Sequence, residues 1–212
     1  MQTSSLGAML AAAMIIASPL PSGAQASGGN DTTGGRTSVL SDQTFAPTSA
    51  DSGFEPIKRP NASYTEATCV IDFSHVADFT LLEEVSGCGV TVSLGNTMSK
   101  RSVPGSWATW ASPPHAETAT PHVLRTNGPT TYTLTYSKKS RITGLEAEPS
   151  PFALWDISVT FRNGKGDVMG TITRTLDGEG GARLFAARTR GVRTVTVESG
   201  ADYALAQIRV KI

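Results

Sequence analysis

The chain has 212 residues, with 18 Lys and Arg balanced by 18 Asp and Glu, so its formal net charge is zero. That balance gives no electrostatic reason to expect a nucleic acid or an anionic membrane as partner. The length is enough for one domain with a sizeable core.

The first element reads as an export signal. Leu6 to Ala17, LGAMLAAAMIIA, is an unbroken small and apolar run. It is shorter than the roughly 20 residues a membrane-spanning helix needs. A helix-breaking SPLPSG follows, then Ala24-Gln25-Ala26, an A-x-A cleavage pattern. The preceding MQTSS carries no Lys or Arg, which departs from the usual signal pattern. Residues 1–26 are read as a signal peptide cleaved near Ala26, with an uncleaved anchor as the competing reading. The mature chain is expected to be secreted, extracellular or periplasmic. No other apolar run approaches spanning length, so no membrane insertion of the mature chain is expected.

Residues 27–53 are rich in Gly, Ser, Thr and Asp. Such a segment buries too little apolar surface to offset its ordering entropy. It is read as a flexible leader, with SVL and TFA as candidate docking points. A single β-sandwich domain is expected over residues 54–212.

Within that domain ATCVIDF, FTLLEEV, GVTVSL, HVLRT, TTYTLTY and RITGLEAE read as strands, although FTLLEEV also fits a short helix. The clearest strand is FALWDISVTFR, 152 to 162, where Trp155, Ile157, Val159 and Phe161 share one face by the period of two. An Asn-Gly turn signal follows, and VMGTITRTL returns as a hairpin partner. ARLFAA and VRTVTVE come next. The last segment, DYALAQIRVKI, is read with Ala204, Ala206, Ile208 and Val210 inward and Tyr203, Gln207, Arg209 and Lys211 outward. Strands recur every 8 to 15 residues with Gly, Pro or Asn between them. The expected fold is all-β: an antiparallel β-sandwich, jelly-roll-like, of about ten strands. No amphipathic pattern supports βαβ units.

Cys69 and Cys88 form an even pair, which in an exported protein suggests one disulfide. It would close a loop of about 20 residues, worth about 3 kcal/mol by the chain-entropy model. Two thiols alone make a poor zinc site.

Several phrases, GSWATWASPP, ATPHVL, ITGLEAEP, GTITRTLDGEGGARLFAA and VTVESGADYALAQIRV, resemble a broad group of exported bacterial β-sandwich proteins. They cover most of residues 105–210. The resemblance implies a secreted, jelly-roll-like module and brings no assigned catalytic residues. Some members of that group carry a C-terminal sorting anchor; none follows the last strand before Ile212.

Candidate sites fall in two places. The first is the segment GSWATWASPPHAET, where Trp107 and Trp110 stand three apart among Ser, Thr and Pro. Flat indole faces suit stacking on sugars, and His115 and Glu117 would hydrogen-bond hydroxyls. Alternatively the tryptophans plug the end of the sandwich. His115, Glu117 and His122 also form a candidate two-His, one-carboxylate set, with solvent-facing loop polarity as the plainer account. The second place is RITGLEAE, where Glu146 and Glu148 share one strand face. Retaining glycosidases hold two carboxyls about 5 to 5.5 Å apart, near the spacing of residues i and i+2 on a strand. Cross-strand ion pairs with Arg174 and Arg183 account for them equally well. With Asp156 and Asp177, and Glu179 nearby, they are also candidate ligands for a structural Ca²⁺.

No G-x-S-x-G, H-E-x-x-H, P-loop or G-x-G-x-x-G motif is present. The leading expectation is a secreted, non-enzymatic module that binds a carbohydrate or another surface polymer, without catalytic residues or a required cofactor. One alternative is a structural envelope or matrix component without a specific ligand. The other is a polysaccharide-active enzyme using Glu146, Glu148 or Glu117. The sequence does not indicate an oligomeric state.

Overall fold

Apolar residues spaced two apart pair into one antiparallel architecture in the structure, a computed structural model describing the backbone of residues 44–47 and all of residues 53–212. Among the described residues the order is β1 (Thr44–Pro47), β2 (Glu55–Ile57), α1 (Ala62–Thr65), β3 (Cys69–Val70), β4 (Leu81–Gly87) and β5 (Val90–Ser102). Then come β6 (His122–Thr126), β7 (Thr131–Pro149), β8 (Leu154–Arg162), β9 (Val168–Asp177), β10 (Arg183–Ser199) and β11 (Tyr203–Lys211). The signal peptide read over 1–26, and the leader apart from Thr44–Pro47 and Gly53, lie outside the described residues. Within that leader, β1 pairs with β9 from Thr44↔Thr173 to Pro47↔Gly170.

Two expected strands, TTYTLTY and RITGLEAE, are the halves of one 19-residue strand, β7. ARLFAA and VRTVTVE likewise merge into β10. These strands are long because each serves two layers. The first half of β7 pairs with β5 at Val92↔Tyr136 and with the second half of β10 at Val195↔Leu134. The second half pairs with the first half of β10 and with β11. One layer therefore runs β1-β9-β8-β10-β7-β5, and the other runs β2-β10-β7-β11-β6-β5. Register shifts between Arg188 and Thr194 mark where the β7–β10 ladder turns from one layer to the other.

The layers face each other across one apolar core. Val159, Phe161, Ile172, Leu134 and Val195 come from the first, and Leu124, Leu145, Leu205 and Ile208 from the second. The fold is an all-β antiparallel sandwich. FTLLEEV is a strand, β4, and not a helix. Trp155 keeps its expected face, in unbroken register opposite the core residue Leu176. It sits at the start of β8 half-buried, while Ile157, Val159 and Phe161 are fully buried. Cys69 and Cys88 are joined, tying β3 to the β4–β5 turn across a Cα–Cα distance of 5.9 Å.

One correction concerns β11. Tyr203 and Leu205 face the main core together with Ile208 and Val210, whereas Ala204 and Ala206 face the opposite side. Gln207 adopts a positive φ of 49° where the β7–β11 register shifts. A bulge there inserts one residue and reverses the side-chain parity, which a strict period of two does not anticipate.

Candidate functional site

The site is built on the outer face of the second layer. On β7, Glu146 and Glu148 point to this face; on β11 their cross-strand partners are Ala206 and Ala204. On β6, Arg125 stands opposite Ala204 and shares its face with Val123. The small alanines leave a trough between the glutamates and Arg125. The segment joining β5 to β6, residues 103–121, fills that trough. Trp107, Trp110, Ala111 and Ala116 pack there with Val103, Val123, Ala182, Ala204 and Ala206 as a second apolar core.

This packing corrects the reading of the tryptophans as an open platform. Trp107 is 9% exposed and Trp110 is 6% exposed, so neither presents a free indole face. They anchor a long loop to the sheet because burying two indoles offsets the entropy of ordering it.

The two glutamates are likewise sealed, each 0% exposed. Glu146 accepts from the Trp110 indole N–H at 3.0 Å and from the Glu117 backbone N–H at 2.6 Å. Glu148 accepts from the Thr109 hydroxyl at 2.8 Å and from the Gly180 backbone N–H at 2.9 Å, and the Trp107 indole also favours its charged form. Burial dominates both carboxyls, raising each from 4.5 to about 7 against the opposing pull of these donors. The expected outward face with Arg174 and Arg183 opposite is replaced by a covered face latched to the loop. Arg174 instead donates to the Lys58 carbonyl at 2.9 Å, and Arg183 to the Ala182 carbonyl at 2.8 Å.

The remaining candidates are dispersed. Glu117 is held by Arg209, whose Nε lies 2.8 Å from both carboxylate oxygens and whose Nη2 lies 2.7 Å from Oε2. Arg209 Nη1 also donates to the Thr65 and Thr68 carbonyls, each at 3.2 Å, so Glu117 fastens the loop to β11 and the α1 region. His115 is exposed, and His122 Nδ1 sits 3.1 Å from the Ser102 hydroxyl. Asp156 accepts from Thr175 at 2.6 Å, and Asp177 accepts from the Glu179 amide at 3.0 Å, closing a turn. Among the described residues, no group of three or more His, Cys, Asp or Glu side chains is close enough to hold a metal ion. The candidate Ca²⁺ ligands are therefore not brought together.

Beside the loop the structure opens a groove of about 260 Å³. Ser106, Trp107, Thr109, Arg125, Ser150 and Phe152 contribute to its lining, with Ala108 and Gly178. Phe152 is 67% exposed, an aromatic ring left in water at the groove. Gly178 is required here: a Cβ would lie 1.8 Å from the Pro151 carbonyl oxygen. Thr109 links the groove to the latch, since its hydroxyl bonds Glu148 while its residue lines the opening. Arg125, 39% exposed at its side chain, pairs with Asp202 at 3.2 Å. Phe152 and Arg125 were not singled out by sequence. Phe152 stands in the alternating run FALWDISVTFR, but β8 begins two residues later at Leu154, and the Pro-Ser-Pro run before Phe152 is the sequence signal of a loop.

The fold and site together define an all-β sandwich with a loop-walled groove. No protein-family model and no curated protein matches the chain. Among solved structures, it is similar to the enzymatically active domain of tailspike protein 4 of bacteriophage CBA120, at 14% identity and a TM-score of 0.27, covering 64% of this chain and 20% of that one. It is also similar to the family 11 carbohydrate-binding module of the cellulosomal cellulase Lic26A-Cel5E of Clostridium thermocellum, at 11% identity and a TM-score of 0.28. That match covers 68% of this chain and 93% of the module. Among the described residues, no helix is long and apolar enough to cross a membrane.

Proposed function

We propose that the protein is an exported, non-catalytic module that binds a polysaccharide in the groove beside the tryptophan loop. The observation that carries this reading is the exposed Phe152 ring at a groove lined also by Ser106, Thr109, Ser150 and Arg125. A sugar ring offers an apolar C–H face to an aromatic ring and hydroxyls to side-chain donors and acceptors. The ligand contact thus moves from the two indoles to Phe152. The tryptophans take a supporting role, holding the groove wall in place.

Two further observations support the non-catalytic part. Glu146 and Glu148 are sealed under the loop, and Glu117 is committed to Arg209. A general acid must reach the bond it protonates. The disulfide supports export, since such bonds persist in oxidising compartments.

Affinity electrophoresis through gels containing neutral glucans, galactans, polygalacturonate or alginate tests the proposal. Retardation by at least one polymer, weakened about tenfold or more by Phe152→Ala, is the expected result. Migration unaffected by every polymer, or retardation unchanged in Phe152→Ala, contradicts it.

A further inference from the structure

Arg125, the charged residue of the groove lining, has two further cations beside it on β5, Arg101 and Lys100. On the β5–β6 ladder Ser99 pairs with Arg125 and Arg101 with Val123, so Arg101 and Arg125 are diagonal neighbours on one sheet face. Lys100 lies between Ser99 and Arg101 on the same strand. Among the described residues, two carboxylates form ion pairs with these three cations. Asp78 is occupied by Lys100 at 2.5 Å and by the Ser102 and Ser106 hydroxyls at 2.7 and 2.5 Å. Asp202 takes Arg125 at 3.2 Å and the Thr126 hydroxyl at 3.2 Å.

Arg101 is thereby the surplus cation. Its guanidinium lies 3.9 Å from the centroid of the Phe79 ring, and Phe79 is itself 65% exposed with a positive φ of 69°. A bulky side chain in that backbone region is held there by its surroundings. The Arg101 Nε and Nη1 atoms, and the Arg125 Nε, are buried with no hydrogen-bond partner. Unanswered buried donors are costly, and here they belong to two guanidiniums close enough to repel each other. Burial and Arg125, in that order, press the Arg101 pKa downward, with Asp78 opposing them. A partly exposed guanidinium at a groove, backed by a second that lacks a counterion, is suited to an anionic group.

We infer that the groove selects an acidic polysaccharide, its Arg125 guanidinium engaging the carboxylate or sulfate of a sugar residue with Arg101 behind it, while the ring of that sugar rests against Phe152. This inference rests on the groove being a polysaccharide site and adds the ligand's charge. Arg suits the task because its planar fork matches both oxyanions in a two-bond geometry.

The test compares matched polymers that differ only in charge: polygalacturonate against its carboxyl-reduced counterpart, and dextran sulfate against dextran. Dissociation constants are measured by titration for the full chain, Arg125→Gln, Arg125→Lys and Arg101→Gln, each checked for native melting. The expected result is at least tenfold tighter binding of the charged member of one pair, which also identifies the anionic group. The preference should collapse in Arg125→Gln, leaving neutral-polymer binding, and survive in part in Arg125→Lys. Arg101→Gln should reduce it several-fold and serves as the second variant if Arg125→Gln does not fold. Binding of both members of each pair with equal affinity overturns the inference while leaving the polysaccharide site standing. A charge preference unchanged in both Arg125→Gln and Arg101→Gln overturns it too. No binding to any of the four polymers, together with no retardation across the wider panel, removes the underlying site as well.

Discussion

The Trp110 indole N–H donates to Glu146 Oε2 at 3.0 Å, and both residues are buried. An aromatic loop and a charged strand, read from sequence as two separate candidate sites, are therefore two halves of one latch. Glu148 repeats the arrangement with Thr109 and the Gly180 amide. The latch holds the segment that walls the groove, so loop stability and the proposed ligand site are linked through Thr109.

The latch makes stability depend on pH. Glu146 and Glu148 have folded values near 7, raised from 4.5 chiefly by burial. The folded state therefore holds more protons than the unfolded one between these values, and stability falls as pH rises across that window. Asp72 and Asp78 are shifted the other way, Asp72 by the Ser74 hydrogen bonds and Asp78 mainly by Lys100, Ser106 and Ser102. Their contribution is present above the ordinary carboxylate range and is lost as pH falls through their depressed folded values. Maximum stability is expected near pH 5. At about 1.4 kcal/mol per pH unit for each proton and roughly 2–4 °C per kcal/mol, the thermal midpoint should drop by on the order of 10 °C from pH 5 to pH 8. Calorimetry across that range checks it. Glu148→Gln, which keeps an acceptor for Thr109 and Gly180 but cannot ionise, should flatten the fall; a midpoint constant or rising between pH 5 and 8 contradicts the latch.

The strand assignments were largely legible because alternation survives wherever one face is buried. Ile157, Val159 and Phe161 are buried as their spacing requires. Three things were not legible. The bulge at Gln207 reverses the parity of β11, and nothing in DYALAQIRVKI announces one inserted residue. TTYTLTY and RITGLEAE look like two strands because the intervening SKKS is polar, yet the backbone keeps pairing through a change of layer. The direction of Trp107 and Trp110 depends on Ala204 and Ala206, about a hundred residues further along the chain, being small enough to leave a trough. The groove residues Arg125 and Phe152 were missed because a groove is a property of which loops meet, and neither residue stands in a chemical motif.

The Arg209–Glu117 pair should be a strong structural contact. Both side chains are nearly sealed, at 13% and 9% exposure, and Arg209 also serves two backbone carbonyls. Arg209→Ala leaves a buried carboxylate without its cation, which costs about 3–5 kcal/mol. Urea unfolding should show that loss. Pairing Arg209→Met with Glu117→Leu should recover a substantial part, because no charge is then left buried alone. A loss under 1 kcal/mol in the single variant would show that the pair is not a fastening point.

Replacing Cys69 and Cys88 together by serine opens the loop between β3 and the β4–β5 turn. The expected cost is about 3 kcal/mol, from the regained entropy of the unfolded chain. None of the groove's lining residues lies in β3 or that turn. Polymer affinity measured well below the variant's melting temperature should therefore stay within about twofold of the parent, a change that corresponds to less than half a kcal/mol. Affinity lost in proportion to stability would place the ligand site elsewhere.

The central claim is that ligand binds in the groove where the Phe152 ring is exposed. Amide chemical-shift mapping of the isotope-labelled chain, titrated in parallel with oligogalacturonate and with a neutral cello-oligosaccharide, tests it most directly. The account predicts saturable shifts concentrated at residues 106–109, Arg125, 150–152 and 178–180. Shifts centred on another face, or none with either oligosaccharide, would contradict it.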